Sequence, residues 1–130
     1  MAYAEKTKVP VSQSKGDIEK LVNKYSADSR ADFAIMQRAN TVQIAFVLCD
    51  RNILFRMVVP DDPQQERSMW RALLLTIKGK LVSAERGIES FEEAFLANIV
   101  MPDGRTVADT TRPAIESSYQ GNNVPLLPSY

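Results

Sequence analysis

The stretch WRALLLTIKGKLVSAERGIESFEEAF, residues 70–95, carries the longest regular hydrophobic pattern in the chain and decides its architecture. Its apolar side chains recur at steps of four and three residues, which keeps one face of a helix apolar over many turns. The members of this seam are Trp70, Leu74, Ile77, Leu81, Ala84, Ile88, Phe91 and Phe95. The pattern predicts a helical layer that covers a sheet, with Trp70 anchored in the core. We interpret Gly79, inside the stretch, as a point of close packing against that sheet.

The seam contains a signal that ends one helix and a signal that starts another. Gly87 can adopt the left-handed conformation that ends helices, and Ser90 with Glu93 has the spacing of a capping box. The sequence therefore predicts two helices, Pro63–Arg86 and Phe91–Val100.

Three further positions carry signals for a helix start. Ser14 precedes an apolar pattern of helical period, and Asp62 stands directly before a proline, which favours the first helical position. Thr106 with Asp109 has capping-box spacing and predicts a last helix, which Pro113 would interrupt or kink and which Gly121 would end near Gln120.

Between Asp32 and Val59 the hydrophobic period changes to two, which is typical of strands. Apolar residues alternate in three runs: Phe33 and Ile35; Val42, Ile44, Phe46 and Leu48; Ile53, Phe55, Met57 and Val59. Short polar segments at 39–40 and 50–52 supply the reversals. The chain is thus expected to be one α+β domain: an N-terminal helix, a three-stranded antiparallel meander, then two or three C-terminal helices (α-β-β-β-α-α).

The opposite face of these strands is half apolar, where a sheet with one solvated face would be polar. Its apolar members, which form a candidate protein interface, are Ala45, Val47, Cys49, Leu54 and Val58. Either the terminal segments or a partner, including a second copy of the chain, would cover it. Residues 1–13 are predicted to be an extended lead-in. Residues 122–130 form an extended, apolar tail that is expected to pack, with this sheet face as one candidate.

Basic residues concentrate on the polar side of the first helix and on the strands. Together they are candidate nucleic-acid contacts: Lys15, Lys20, Lys24, Arg38, Arg51 and Arg56. Arg67, Arg71 and Lys78 share a face beside the seam, and we interpret them as side chains with packed stems and solvated charges. Sixteen basic and sixteen acidic residues cancel, so nucleic-acid affinity would have to come from a local patch.

The residues offer little to catalysis. The chain has no histidine, its five glycines are scattered, and Cys49 is its only cysteine, which together argue against hydrolase triads, phosphate loops and zinc sites. The carboxylates that could hold magnesium fit caps, turns and solvated faces better than a metal site: Asp50, Asp61 with Asp62, Glu92 with Glu93, and Asp103. We expect a non-enzymatic protein without cofactor, metal or small-molecule substrate. With neither a signal peptide nor a membrane-spanning run, we expect it in the cytoplasm.

Three runs resemble a family of short, functionally uncharacterised proteins of tailed bacteriophages and prophages: VPVSQSKGDIEKLVNKYSAD, WRALLLTIKGKLVSAERGIESFEEAFLANIVMPDGRTV and IESSYQGNNVPLLP. The sheet departs from the family pattern, with Tyr25-Ser26-Ala27-Asp28-Ser29 and a short link at 61–65. The resemblance implies a phage or prophage protein in the host cytoplasm, acting in DNA metabolism or against host defences, and it assigns no site residue.

Two hypotheses follow. The protein is either a protein-binding module, as an inhibitor of a host defence complex (anti-CRISPR-like) or a self-assembling unit, or a nucleic-acid-binding accessory of phage DNA replication or recombination. The α-β-β-β-α order resembles small RNA- and DNA-binding folds. However, Gln64-Gln65-Glu66 stands where double-stranded RNA-binding domains place lysines.

Overall fold

The fold is α+β, as predicted, and its elements follow the predicted order. The computed structural model describes residues 9–25, 33–38, 41–48, 53–60, 62–121 and 124–127. In chain order the elements are α1 (Val11–Lys24), β1 (Phe33–Arg38), β2 (Thr41–Leu48), β3 (Ile53–Pro60), a 3-10 turn (Pro63–Gln65), α2 (Glu66–Glu85), α3 (Phe91–Ala94), a second 3-10 turn (Leu96–Asn98) and α4 (Val107–Tyr119).

The three strands form an antiparallel meander in the order β1-β2-β3. In its register Ile44 lies opposite Ile35 on one side and Met57 on the other, so one face of the sheet collects the residues of the period-two pattern. We call this the inner face and the other the outer sheet face. The reversals predicted at 39–40 and 50–52 lie outside the described residues.

Helices α1 and α2 cover the inner face and run side by side in the same direction. Lys15 lies beside Trp70 near their first turns, and the Tyr25 hydroxyl donates to the Glu85 carboxylate at their last turns. That hydrogen bond, with burial and the nearby negative charge, raises the pKa of Tyr25 above its usual value.

The core lies between these helices and the inner face, with α3 and the second 3-10 turn closing one end. Its largest fully buried side chains are Trp70, Phe46, Phe55, Phe95, Ile18, Ile44, Ile77 and Leu81. Phe95 meets Phe46 and Phe55 at ring-centroid distances of 5.6 and 5.4 Å. Because burial of each large apolar side chain stabilises a fold by roughly 1.5–3 kcal/mol, the seam supplies much of the stability. Trp70 anchors the core, as predicted.

Helix α1 begins at Val11, four residues before the start that a Ser14 cap would give, and Ser14 does not cap it. Pro10, with φ of −61° and ψ of 150°, occupies the capping position, and its carbonyl oxygen accepts from the amides of Gln13 and Ser14 at 3.1 and 3.2 Å. The rigid proline starts the helix early. Ser14 is instead fully buried, and its hydroxyl has no hydrogen-bond partner among the described residues.

The predicted break after α2 is confirmed. Gly87 has φ of 75°, its amide donates to Ala84 at 3.1 Å, and the Ile88 amide donates to Ser83 at 3.0 Å, which together form a Schellman motif. Because this motif turns the chain away from the helix axis, Ile88 leaves the seam and is 78% exposed. Its predicted place in the buried stripe is therefore wrong.

The second predicted helix is shorter than expected. The capping box of Ser90 and Glu93 is present, but the α-helix ends at Ala94 and the 3-10 turn follows. Ile99 and Val100 are extended instead: Ile99 pairs with Phe55, and the Val100 amide donates to Leu54 at 2.9 Å. Pairing with the edge of β3 gives the backbone groups of this segment hydrogen-bond partners. Both residues are also β-branched, which favours an extended conformation over another helical turn.

Gly79 does not mark close packing. It is exposed in the interior of α2, and an added Cβ would meet no atom within 4 Å. The interpretation made from the sequence is wrong, because this glycine faces away from the sheet.

Candidate binding surfaces

The outer sheet face brings together the described members of the predicted interface. Val47 lies opposite Leu54, and Val58, opposite Gln43, lies two rows away, beyond the Ala45–Arg56 pair. Val58 is 54% exposed and Leu54 is also exposed. Met36, which the sequence reasoning missed, also lies opposite Gln43 and is 47% exposed. The period-two alternation of β1 places Met36 on this face, and that pattern could have identified it. Ala45 lies half-buried between the rows, and Cys49 falls outside the described residues.

The described part of the tail does not cover this face. Leu126 is 97% exposed, and Val124 and Leu127 are exposed as well. The expectation that these residues pack is therefore wrong. Prolines at 125 and 128 prevent a regular strand ladder that could hold the segment against the sheet.

Residues 98–106 extend the sheet beyond β3. The guanidinium of Arg56 donates to the carbonyl oxygen of Gly104 at 2.9 Å, and the Asn98 side-chain amide donates to the carbonyl oxygen of Arg56 at 3.2 Å. Val100 pairs with Thr106, and α4 begins directly afterwards. Arg56 thus ties the C-terminal segment to the strand, which is a structural role.

The first turn of α4 is fixed by several polar contacts. Thr106 and Asp109 form the predicted capping box, and these hydrogen bonds lower the pKa of Asp109. Pro113 lacks the amide that would bond the carbonyl oxygen of Asp109, and Arg105 donates to that oxygen at 2.9 Å instead. The helix therefore continues through Pro113 to Tyr119, one residue short of the predicted end.

Beyond its first turn, α4 leaves the body of the molecule. Every residue from Asp109 to Tyr119 is exposed, including Ile115 at 53%. Between α4 and the second 3-10 turn lies a cavity of about 380 Å³, which we call the C-terminal groove. Its apolar lining residues are Leu96, Ala97, Val107, Ala108 and Ile115, and its polar ones are Thr111, Arg112 and Glu116. The sequence predicted α4 but not this groove.

The described members of the predicted nucleic-acid contacts do not form one surface. The Lys15 ammonium lies 4.8 Å from the centre of the Trp70 ring, and Arg56 is held at Gly104 beside the outer sheet face. The Arg38 side chain and Arg51 fall outside the described residues. Of the described members, Lys20 and Lys24 remain together.

Lys20 and Lys24 line a cavity together with two basic residues of α2, Arg71 and Lys78. Between α1 and α2, on the side away from the sheet, lies a cavity of about 450 Å³, the α1–α2 furrow. Its lining combines cations, leucines and one carboxylate: Asp17, Lys20, Leu21, Lys24, Arg71, Leu74, Leu75 and Lys78. Arg71 and Lys78 were interpreted as solvated flanks of the seam. Their convergence with Lys20 and Lys24 depends on how the helices pack.

The described residues offer no site for metal chemistry. They contain no group of three or more His, Cys, Asp or Glu side chains that could hold a metal ion. The Asp62 carboxylate accepts from the Gln64 amide at 3.0 Å, and that of Asp103 accepts from the Arg105 amide at 2.9 Å. Both are local turn contacts. Asp50 and Asp61 lie outside the described residues.

Comparisons with known proteins add no relative. The chain matches no protein-family model, and neither a curated protein nor a solved structure is significantly similar to it. In the described part of the chain, no helix has both the length and the apolar character needed to cross a membrane.

Proposed function

We propose that this protein acts by binding another protein, without catalysis, and that the C-terminal groove with the exposed side of α4 is the contact surface. The observation that carries the proposal is the exposure of α4 from Asp109 to Tyr119. Isolated helices shorter than about 12–15 residues are marginal in water, and α4 has 13 residues, one of them a proline. A partner that packs against it would supply the missing stabilisation.

The chemistry of the surface favours a protein partner. Ile115 and Tyr119 lie one helical turn apart on α4, and Leu96 lines the groove together with Ile115. Exposed apolar and aromatic side chains of this kind are typical of interface centres. The outer sheet face, with Met36 and Val58, offers a second apolar area that a large partner could cover.

A second copy of the chain is the first partner to test, because a helix with an apolar stripe can pack against its own copy about a two-fold axis. The experiment is a mass measurement by light scattering during size-exclusion chromatography, across a range of concentrations. We expect a mass that is a multiple of the 14.6 kDa chain. Ile115→Glu should return the monomer mass, whereas Ser117→Glu, the same charge on an exposed residue of α4 outside the groove lining, should not.

A wild-type monomer at every concentration would reject self-assembly. The remaining form of the proposal is then a host protein, such as a component of a defence complex, which the resemblance to phage proteins suggests. A photo-crosslinking residue at 115 should capture one partner from host lysate, and the same residue at 117 should not. If neither a second copy nor a host protein is captured at 115, the proposed function is wrong.

A further inference from the structure

We propose that the α1–α2 furrow binds single-stranded nucleic acid through its phosphates. The proposal concerns a different surface from the C-terminal groove. The furrow has four cations, Lys20 and Lys24 on the α1 wall and Arg71 and Lys78 on the α2 wall. Its lining contains one carboxylate, that of Asp17. In a chain whose charges cancel, this is a local excess of positive charge.

Three of the furrow cations have no partner among the described residues, unlike several basic residues elsewhere. Lys80 donates to the carbonyl oxygen of Ala94 at 2.8 Å, and Arg56 donates to that of Gly104. Within the described part of the chain, Lys20, Arg71 and Lys78 have neither a hydrogen bond nor an ion pair. Their charges are therefore free to meet an external anion.

The spacing suits a row of phosphates. Both helices line the furrow with residues at positions i, i+3, i+4 and i+7, so the charged walls run parallel to each other. Arg71 and Lys78 are seven residues apart, or about 10 Å along the helix axis. At about 3.4 Å per nucleotide along a stacked strand, this length spans roughly three nucleotide steps, which place about four successive phosphates beside the cations.

The leucines at the bottom of the furrow, which we call its floor, favour a single strand over a duplex. Leu21, Leu74 and Leu75 line the furrow between the cations, and an apolar floor can contact sugars and exposed base faces. A duplex keeps its bases stacked inside and would present mainly backbone to these leucines. Proteins that bind single strands without sequence preference combine a positive groove with side chains on which the bases stack, and in the furrow the leucines supply apolar contact in place of aromatic stacking. An acidic protein segment is the competing ligand, and the test below separates the two.

The test is fluorescence anisotropy of a labelled oligothymidylate of about 15 nucleotides with the full chain. Four phosphate contacts on a single strand predict a slope of log affinity against log salt of about −2.8, so that affinity falls about 50-fold between ~50 and ~200 mM salt. Lys20→Gln with Lys78→Gln should weaken binding at least tenfold at ~50 mM salt and halve the slope to about −1.4. Both residues are exposed, so the variant should fold.

The matched control also removes two exposed cations, by Arg86→Gln with Arg112→Gln, and should bind within about twofold of wild type. Equal losses in the two variants would show that only net charge matters and would overturn the site. Absence of binding at ~50 mM salt, stronger binding of the matching duplex, or displacement of the oligonucleotide by an equal charge of poly-L-glutamate would each overturn the proposal. The last result would assign the furrow to an acidic protein.

Discussion

Replacing Gly79 by alanine should stabilise the protein. Gly79 lies in the interior of α2, where it is exposed and an added methyl group would meet no atom within 4 Å. Glycine in a helix interior costs about 0.8–1.0 kcal/mol relative to alanine, because the unfolded chain loses more conformational freedom. With no packing term to offset this gain, the free energy of unfolding should rise by about 1 kcal/mol.

The assay is equilibrium unfolding followed by the fluorescence of Trp70, the only tryptophan, which is fully buried and becomes solvated on unfolding. For a domain of this size, about 1 kcal/mol corresponds to an increase of about 3–5 °C in Tm. The matched control is Gly87→Ala, the same chemical change at φ of 75°. There the left-handed conformation should cost about 1–2 kcal/mol and lower Tm.

A neutral or destabilising Gly79→Ala substitution, alongside a destabilising Gly87→Ala, would refute this reasoning. It would mean that the exposed side of α2 contacts something in solution, as the sequence interpretation of close packing required. A stabilising Gly87→Ala would instead contradict the Schellman motif itself.

Two further predictions concern polar groups. Ser14→Ala should raise the free energy of unfolding by about 1 kcal/mol in the same assay, because it removes a buried hydroxyl that has no hydrogen-bond partner among the described residues. If Ser14 capped the helix instead, the same substitution would lower the free energy of unfolding by about 1 kcal/mol. Because the folded pKa of Asp109 is lowered, its carboxylate stabilises α4 above the pKa of the unfolded chain, and this contribution is lost as pH falls through the folded pKa. The amide chemical shifts of the first turn of α4 should therefore be constant at neutral pH and change only below about pH 4, and Asp109→Asn should remove that change.

Local signals explain why much of the fold could be predicted. The period-two pattern gave the three strands, because alternation must place one set of side chains on the buried face. The break after α2 and the capping boxes at Ser90 and Thr106 depend on residues within four positions of one another. Such contacts form in the same way whatever the tertiary context.

Two errors arose where two signals competed. Ser14 precedes an apolar pattern, but Pro10 lies at the true start of α1 and its carbonyl oxygen accepts from the amides of Gln13 and Ser14. Ile99 and Val100 continue the helical period of α3, yet pairing with β3 determines their conformation. A single sequence shows both alternatives and not their relative free energies, and in the second case one alternative depends on residues more than 40 positions away.

The candidate sites were least predictable, because they depend on packing between distant segments. The furrow joins residues 17–24 to residues 71–78, and no pattern in either segment indicates the other. The same packing separates the sites. The furrow lies on the side of α1 and α2 away from the sheet, the outer sheet face lies on the opposite side of the sheet, and no residue lining the C-terminal groove lines the furrow. A nucleic acid and a protein partner could therefore be bound together, so Ile115→Glu should change the mass without changing oligonucleotide affinity per chain. Conversely, the loss of Lys20 and Lys78 should change the affinity without changing the mass.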